Sequence, residues 1–306
     1  MATLDTLIVD TLNMLYGQTQ AESPETDTLA AAVSTTSDTT WEFVTTDMWK
    51  RGDFAEHVDS GSGIYELVQL GEDHSSGSDV TVRRAQRGTT ASTYASGAVF
   101  NRNPTFPKHE VAKLVSQVVD NELWPDVWYR TNRTLTGGWV EGDTTYDLAA
   151  TDVEVEKLYQ YNLAGDNGYH ELPMGWWDVE GSVDDATVTT TGRLLRIFKV
   201  YDPDASLFYT VRAKPSSDDV SSLPTQIANM VPWGACGKLI AGTRTGPQRV
   251  APSRSPQAVA QSGDRLIRDY AFFDNEFRNL RTQYKRELRK EAVKALNFRR
   301  RGPRRG

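Results

Sequence analysis

Cysteine is almost absent from this sequence: Cys236 stands alone, so no disulfide can form within the chain. Its setting, Trp233-Gly234-Ala235-Cys236-Gly237, is that of a buried, inert thiol rather than a nucleophile. Histidine is scarce as well. His57, His74, His109 and His170 lie far apart and none falls in a metal-ligand spacing, which argues against a metal centre. No Gly-x-x-x-x-Gly-Lys-Ser/Thr loop occurs, and Arg87-Gly88-Thr89-Thr90 lacks the lysine and helix context of a phosphate site, so no nucleotide or other cofactor is expected. A Gly-x-Ser-x-Gly elbow is missing too. No apolar run approaches the roughly 18 residues of a membrane helix. Mean hydropathy is −0.53, and no membrane partner is expected. The start, Met1-Ala2-Thr3-Leu4-Asp5, has none of the marks of a secretory signal, so synthesis and assembly in a cytoplasm are the expectation.

What the chain does have is length, aromatics and unevenly placed charge. Its 306 residues, 38% hydrophobic, exceed what one compact domain usually needs, and two packed modules are expected. The net charge is −7, yet from Asp264 to Gly306 fourteen Lys/Arg face six Asp/Glu, a net of +8 that leaves −15 on the remainder. Eight tryptophans invite an enzymatic alternative: a glycosidase pair among Asp126, Glu141, Asp143 and Asp178, with Trp139, Trp176 and Trp177 as sugar platforms. Without a paired-carboxylate motif, core or interface is the favoured role for these rings, and no enzyme is expected.

Periodicity organises the chain. Leu4, Leu7, Ile8, Leu12 and Leu15 predict an N-terminal helix, with Gly17 as its cap and a polar loop to residue 40. Short strands are predicted at 41–45, 64–70, 80–84 and 97–100, punctuated by Gly and Ser/Asp clusters. Pro107 opens a helix carrying Val111, Leu114, Val115 and Val118, which Trp124-Pro125 ends. Strands return at 145–148, 153–158, 194–200 and 207–211. A helix over 225–239, interrupted around Pro232, and a linker over 242–256 precede a long helix over 257–297. That helix packs through Leu266, Tyr270, Phe273, Phe277, Leu280, Tyr284 and Leu288, with Val293 continuing the spacing.

The stretch Val80-Thr-Val-Arg-Arg-Ala-Gln-Arg-Gly-Thr-Thr-Ala-Ser-Thr-Tyr-Ala-Ser-Gly-Ala-Val-Phe-Asn-Arg-Asn-Pro-Thr-Phe-Pro107 resembles a segment of the adaptor-like head-to-tail connector proteins of siphophages. The family pattern is a strand, Arg-Gly-x-x-Gly-Thr-Thr-Ala-x-x-His-x-x-Gly-x-x-Val, a second strand, then Asn-Pro-x-Phe. Here the inner Gly-Thr follows Arg-Gly directly, and Tyr94 stands where the family often has His. On the residues alone, Arg87, Gly88, Thr89 and Gly97 read as a hairpin-forming device.

The resemblance implies an α+β fold: a helical adaptor core of N-terminal, central and long C-terminal helices, with two small antiparallel β modules inserted. The expected divisions are 1–40 (helix and loop), 41–106 (small β module), 107–130 (helix), 131–222 (second β module), 223–298 (helical region) and 299–306 (basic tail). It further implies a structural virion protein of the neck, forming a homo-oligomeric ring, dodecameric in expectation, beneath the portal. Such a ring would extend the DNA channel and join downstream neck and tail proteins. Arg299, Arg300, Arg301, Arg304 and Arg305 are the expected contacts to portal carboxylates, with non-specific double-stranded DNA as the other candidate. The alternatives are another neck or tail component (terminator, stopper or collar) and a carbohydrate-binding tail protein.

Overall fold

The computed structural model describes residues 3–19, 24–45, 48–58, 65–74, 79–135, 139, 145–163, 166–181, 191, 193–245 and 256–300, with side chains at 19, 162–163, 166–167, 243–245, 256–267 and 291–300 excepted. These residues form a mixed α+β fold with five α-helices and three antiparallel sheets. The chain divides into two compact units, one of 1–119 with 220–306, the other of 120–219.

In the first unit, α1 (Leu4–Thr19) buries Leu7, Ile8 and Leu15 on one face and runs past Gly17, the expected cap. Six strands follow: β1 (Glu25–Thr28), β2 (Thr40–Trp41), β3 (Phe54–His57), β4 (Leu67–Leu70), β5 (Val80–Arg83) and β6 (Val99–Arg102). They form one sheet in the order β1-β6-β3-β4-β5-β2, a half-barrel whose two edges meet at the Leu29–Phe43 bridge. Trp41, Phe43, Trp49, Tyr94 and Phe100 fill it. Trp41 meets Phe100 and Tyr94 edge-on at 5.4 and 5.7 Å, the arrangement the ring quadrupoles favour.

This module is therefore neither small nor begun at residue 41. Its first strand, Glu-Thr-Asp-Thr, lacks apolar alternation because the inward residue is Asp27. That carboxylate accepts from Trp49 Nε1 at 2.8 Å, from Thr45 Oγ1 at 2.9 Å and from the Thr28 amide at 2.8 Å. A buried polar strand satisfied in this way escapes a search for hydrophobic period two.

The stretch from Arg87 to Gly97 is not a hairpin either. It links β5 to β6, which are separated in the sheet by β3 and β4. Gly88 and Gly97 do take positive φ, +76° and +84°, and Arg87 joins them at 53°. The long connection is pinned by Glu66, whose side chain is 0% exposed and lies 2.6 Å from Arg84 at 6%. Glu66 also accepts from the Ala85 and Ser92 amides and from Tyr94 Oη. Arg84 stacks over Trp41 and donates to the Thr35 and Ser92 carbonyls. Thr89 receives the Leu67 amide at 3.1 Å.

Pro107, extended at φ −63°, precedes α2 (Lys108–Gln117), which passes into a π-turn over Val118–Glu122. After the second unit the chain forms α3 (Thr225–Ala228), α4 (Val231–Thr245) and α5 (Pro256–Arg300). The predicted interruption thus falls just ahead of Pro232, which sits in the first turn of α4, where its missing N–H costs nothing. The ends of the expected 242–256 linker are helical as well: α4 continues to Thr245, α5 starts at Pro256, and 246–255 lie outside the described residues. Helix α4 packs against α1, α2 and α5.

The second unit holds β7 (Tyr129–Thr134), β8 (Thr145–Asp147), β9 (Asp152–Leu163), β10 (Asp166–Glu171), β11 (Trp177–Gly181), β12 (Arg193–Ile197) and β13 (Ser206–Ala213). They form two sheets, β10-β9-β13-β7 and β11-β12-β8. Leu148, Leu158, Leu195, Ile197, Leu207 and Val211 are buried in one cluster with Trp177. This β unit is substantial where a small one was expected. Strand β7 was missed because Tyr-Arg-Thr-Asn-Arg-Thr places polar residues at nearly every position.

Three substitutions test this packing. Glu66→Gln strands a buried guanidinium and is expected to cost about 3–5 kcal/mol in denaturant melts followed by tryptophan fluorescence. Gly17→Ala, with nothing within 4 Å of the new Cβ, is expected to stabilise by about 0.5–1 kcal/mol in the same melts. Gly234→Ala meets Val118 at 3.0 Å and Phe277 at 3.1 Å and is expected to destabilise by about 1–3 kcal/mol.

Candidate functional site

Helix α5 is 45 residues long and carries the basic end of the chain. Its apolar stripe is anchored where α4 offers glycines: Phe277 comes against Gly234, and Phe273 and Asp274 against Gly237. Phe273, Phe277, Tyr284 and Leu288 are buried, while Tyr270 and Leu280 are only partly so. Trp233 packs against Phe272 and Phe273, with ring centroids 5.7 and 5.8 Å apart. Arg268, Arg278, Arg286, Arg289 and Lys290 are exposed. Of the expected contact residues, Arg299 and Arg300 end the helix with side chains outside the described set, as is that of Leu266; Arg301, Arg304 and Arg305 lie outside the described residues.

A cleft of about 290 Å³ lies between α1 and the half-barrel, lined by Asn13, Tyr16, Glu56, Asn101, Phe106 and Lys108. Glu56 is buried and accepts from the His109 amide at 3.4 Å, and Lys108 Nζ donates to the Val58 carbonyl at 3.1 Å. Burial pushes the Tyr16 phenol up from its ordinary value. Lys108 and Glu56 Oε1 are thus engaged with the fold, whereas Glu56 Oε2 is buried without a hydrogen-bond partner. Among the described residues no group of three His, Cys, Asp or Glu is placed to hold a metal ion. Cys236 is buried, its Sγ 3.5 Å from the Thr11 carbonyl, and burial drives its pKa far up, which removes thiolate chemistry.

The rings of the sugar platform weighed as an alternative pack into or against the core of the second unit. Trp177 is in the sandwich core, Trp139 packs against the same core, and Trp176 is capped by Lys199 at 4.7 Å and Tyr201 at 4.8 Å. Asp178 is exposed and turned onto the Val179 amide; Glu141 and Asp143 lie outside the described residues. A cluster that sequence reading missed sits instead on the outer face of the β10-β9-β13-β7 sheet: Tyr159, Tyr161, Tyr169 and Phe208. The alternation of Tyr159 and Tyr161 with the buried Leu158 and Gln160 was its signal, just past residue 158, where the predicted strand ended.

Beside those rings runs a ladder of ion pairs. Arg130 and Arg212 both grip Glu156 at 2.7 Å, and Arg212 also reaches Glu154 at 2.7 Å. Burial raises the Glu156 pKa, but the two arginines more than offset this and hold it below the ordinary carboxylate value. A depressed carboxylate stabilises the fold above its unfolded pKa, and that contribution is lost as pH falls through the folded value. Thermal melts from about pH 6 to about pH 3 are expected to show a shallower acid decline in Glu156→Gln than in the parent. No family model, curated protein or solved structure matches the chain.

Proposed function

We propose that the chain is a head-to-tail adaptor of a tailed bacteriophage, a structural protein of the virion neck rather than an enzyme. Copies form a ring, dodecameric as the resemblance implies, beneath the portal. The ring extends the DNA channel and links capsid to downstream neck and tail proteins. The observation that supports this reading is the order of elements: helix α1, a β insert, helix α2, a second β unit, then α4 and the long α5. Helices α1, α2, α4 and α5 come into contact although two β units interrupt them, which fits a helical adaptor core decorated by insertions.

Length and charge point the same way. At 1.5 Å per residue α5 is about 67 Å long and α4 about 22 Å, so α5 outruns its partner. A helix that projects and ends in arginines suits docking onto acidic portal surfaces, since guanidinium groups bind carboxylates through paired hydrogen bonds. Phosphates of the channel DNA are the other acceptor with the right chemistry.

Deleting residues 299–306 is expected to leave a folded chain that no longer joins portal rings. Mass measurement of mixtures with purified portal at low and raised salt reads this directly. Undiminished co-assembly of the truncated chain would overturn the role given to the tail, and a full-length chain indifferent to portal would overturn the adaptor reading itself.

A further inference from the structure

We infer that the outer face of the β10-β9-β13-β7 sheet is a binding platform for a neutral glycan, an activity separate from the adaptor role and independent of it. The face is built by register. Tyr161 stands opposite Tyr169 and Ser206, and Tyr159 opposite Glu171 and Phe208, so the four rings form one patch across three strands. Tyr169 is 66% exposed at its centre. Tyr161 and Phe208 lie 4.7 and 5.9 Å from it, and Tyr159 lies 6.5 Å away. Two of the three strands give their inward positions to the sandwich core, Leu158 on β9 and Leu207 and Tyr209 on β13, so the outward rings are not needed to fill it.

The border of the patch decides the class of ligand. Lys157 is paired with Glu171 at 2.6 Å, and Arg130 and Arg212 are paired with Glu156 and Glu154. The three cations and three carboxylates next to the rings therefore cancel. Thr210 and Asn132, which bond each other at 2.7 Å, occupy the row between. Residues 120–219 as a whole carry eight Lys/Arg and nineteen Asp/Glu, a net of −11. That field repels nucleic acid and anionic polysaccharide, and the pairing of Lys157, Arg130 and Arg212 leaves none of these three cations unmatched for a charged peptide. A neutral sugar suits it: apolar C–H faces stack on the rings, while the fixed carboxylate, ammonium and amide groups exchange hydrogen bonds with hydroxyls.

The test uses the full chain. Affinity electrophoresis in gels containing dextran, amylose or galactomannan, together with an array of neutral microbial glycans, is expected to show retention on at least one of them. Tyr169→Ala should weaken that retention about tenfold, the worth of one stacked ring. Tyr169→Trp should preserve it, and the melting temperature should not move in either variant. Three results would each overturn the proposal: no retention on any neutral glycan, equal retention by parent and Tyr169→Ala, or self-association of the parent that Tyr169→Ala abolishes. The last would make the face a contact between copies. None of these bears on portal capture.

Discussion

The close approach of α4 to three other helices is the constraint on which the first unit depends. Cys236 touches the backbone of α1 across 225 positions of sequence, and Gly234 lies between Val118 and Phe277. Only small residues allow this. Trp233-Gly234-Ala235-Cys236-Gly237 is an interface motif in which each missing carbon is filled by a neighbour. Segments from the start, middle and end of the chain must all be present before the helical core can close, so no prefix of the sequence contains it. The solitary cysteine belongs to the same logic: it is a small apolar residue at a crowded crossing, with its thiol held protonated.

The half-barrel obeys a different rule. Its interior holds Asp27 and Glu66 among tryptophan and phenylalanine, and each carboxylate organises loops rather than chemistry. Asp27 gathers the Thr45 and Trp49 segment, and Glu66 gathers Ala85, Ser92 and Tyr94. Buried acceptors of this kind are costly unless every lone pair is used, which restricts the loops to one arrangement.

Much of the helical content was legible because apolar residues recur at helical spacing in α1, α2 and α5. Strands with alternating Val, Leu and Phe, such as β5 and β13, were legible for the corresponding reason. What escaped was structure whose inward residues are polar. Strand β1 turns Asp27 inward, β7 is mostly polar, and the edge strand β10, Asp-Asn-Gly-Tyr-His-Glu, carries no apolar period. The Arg87–Gly97 glycines correctly signalled positive φ, but a turn-like residue says nothing about which strands it joins; that depends on Glu66, a residue about twenty positions upstream. The aromatic face was hidden because tryptophan drew attention, whereas the exposed rings are tyrosines assembled across strands by register.

The entry and exit of the second unit are clasped together. Asp120 accepts from both the amide and the hydroxyl of Ser217 at 2.7 Å, across 97 positions of sequence. A unit whose two ends are tied at one point behaves as a cassette. Closing so long a loop has an entropic cost that grows only with the logarithm of its length, so the cassette can lengthen, shorten or be exchanged for another sandwich at little thermodynamic penalty. Selection acting on whatever the outer face of that sandwich touches can then proceed without disturbing the register of the helices. The clasp separates an element free to diversify from one that must fit its neighbours.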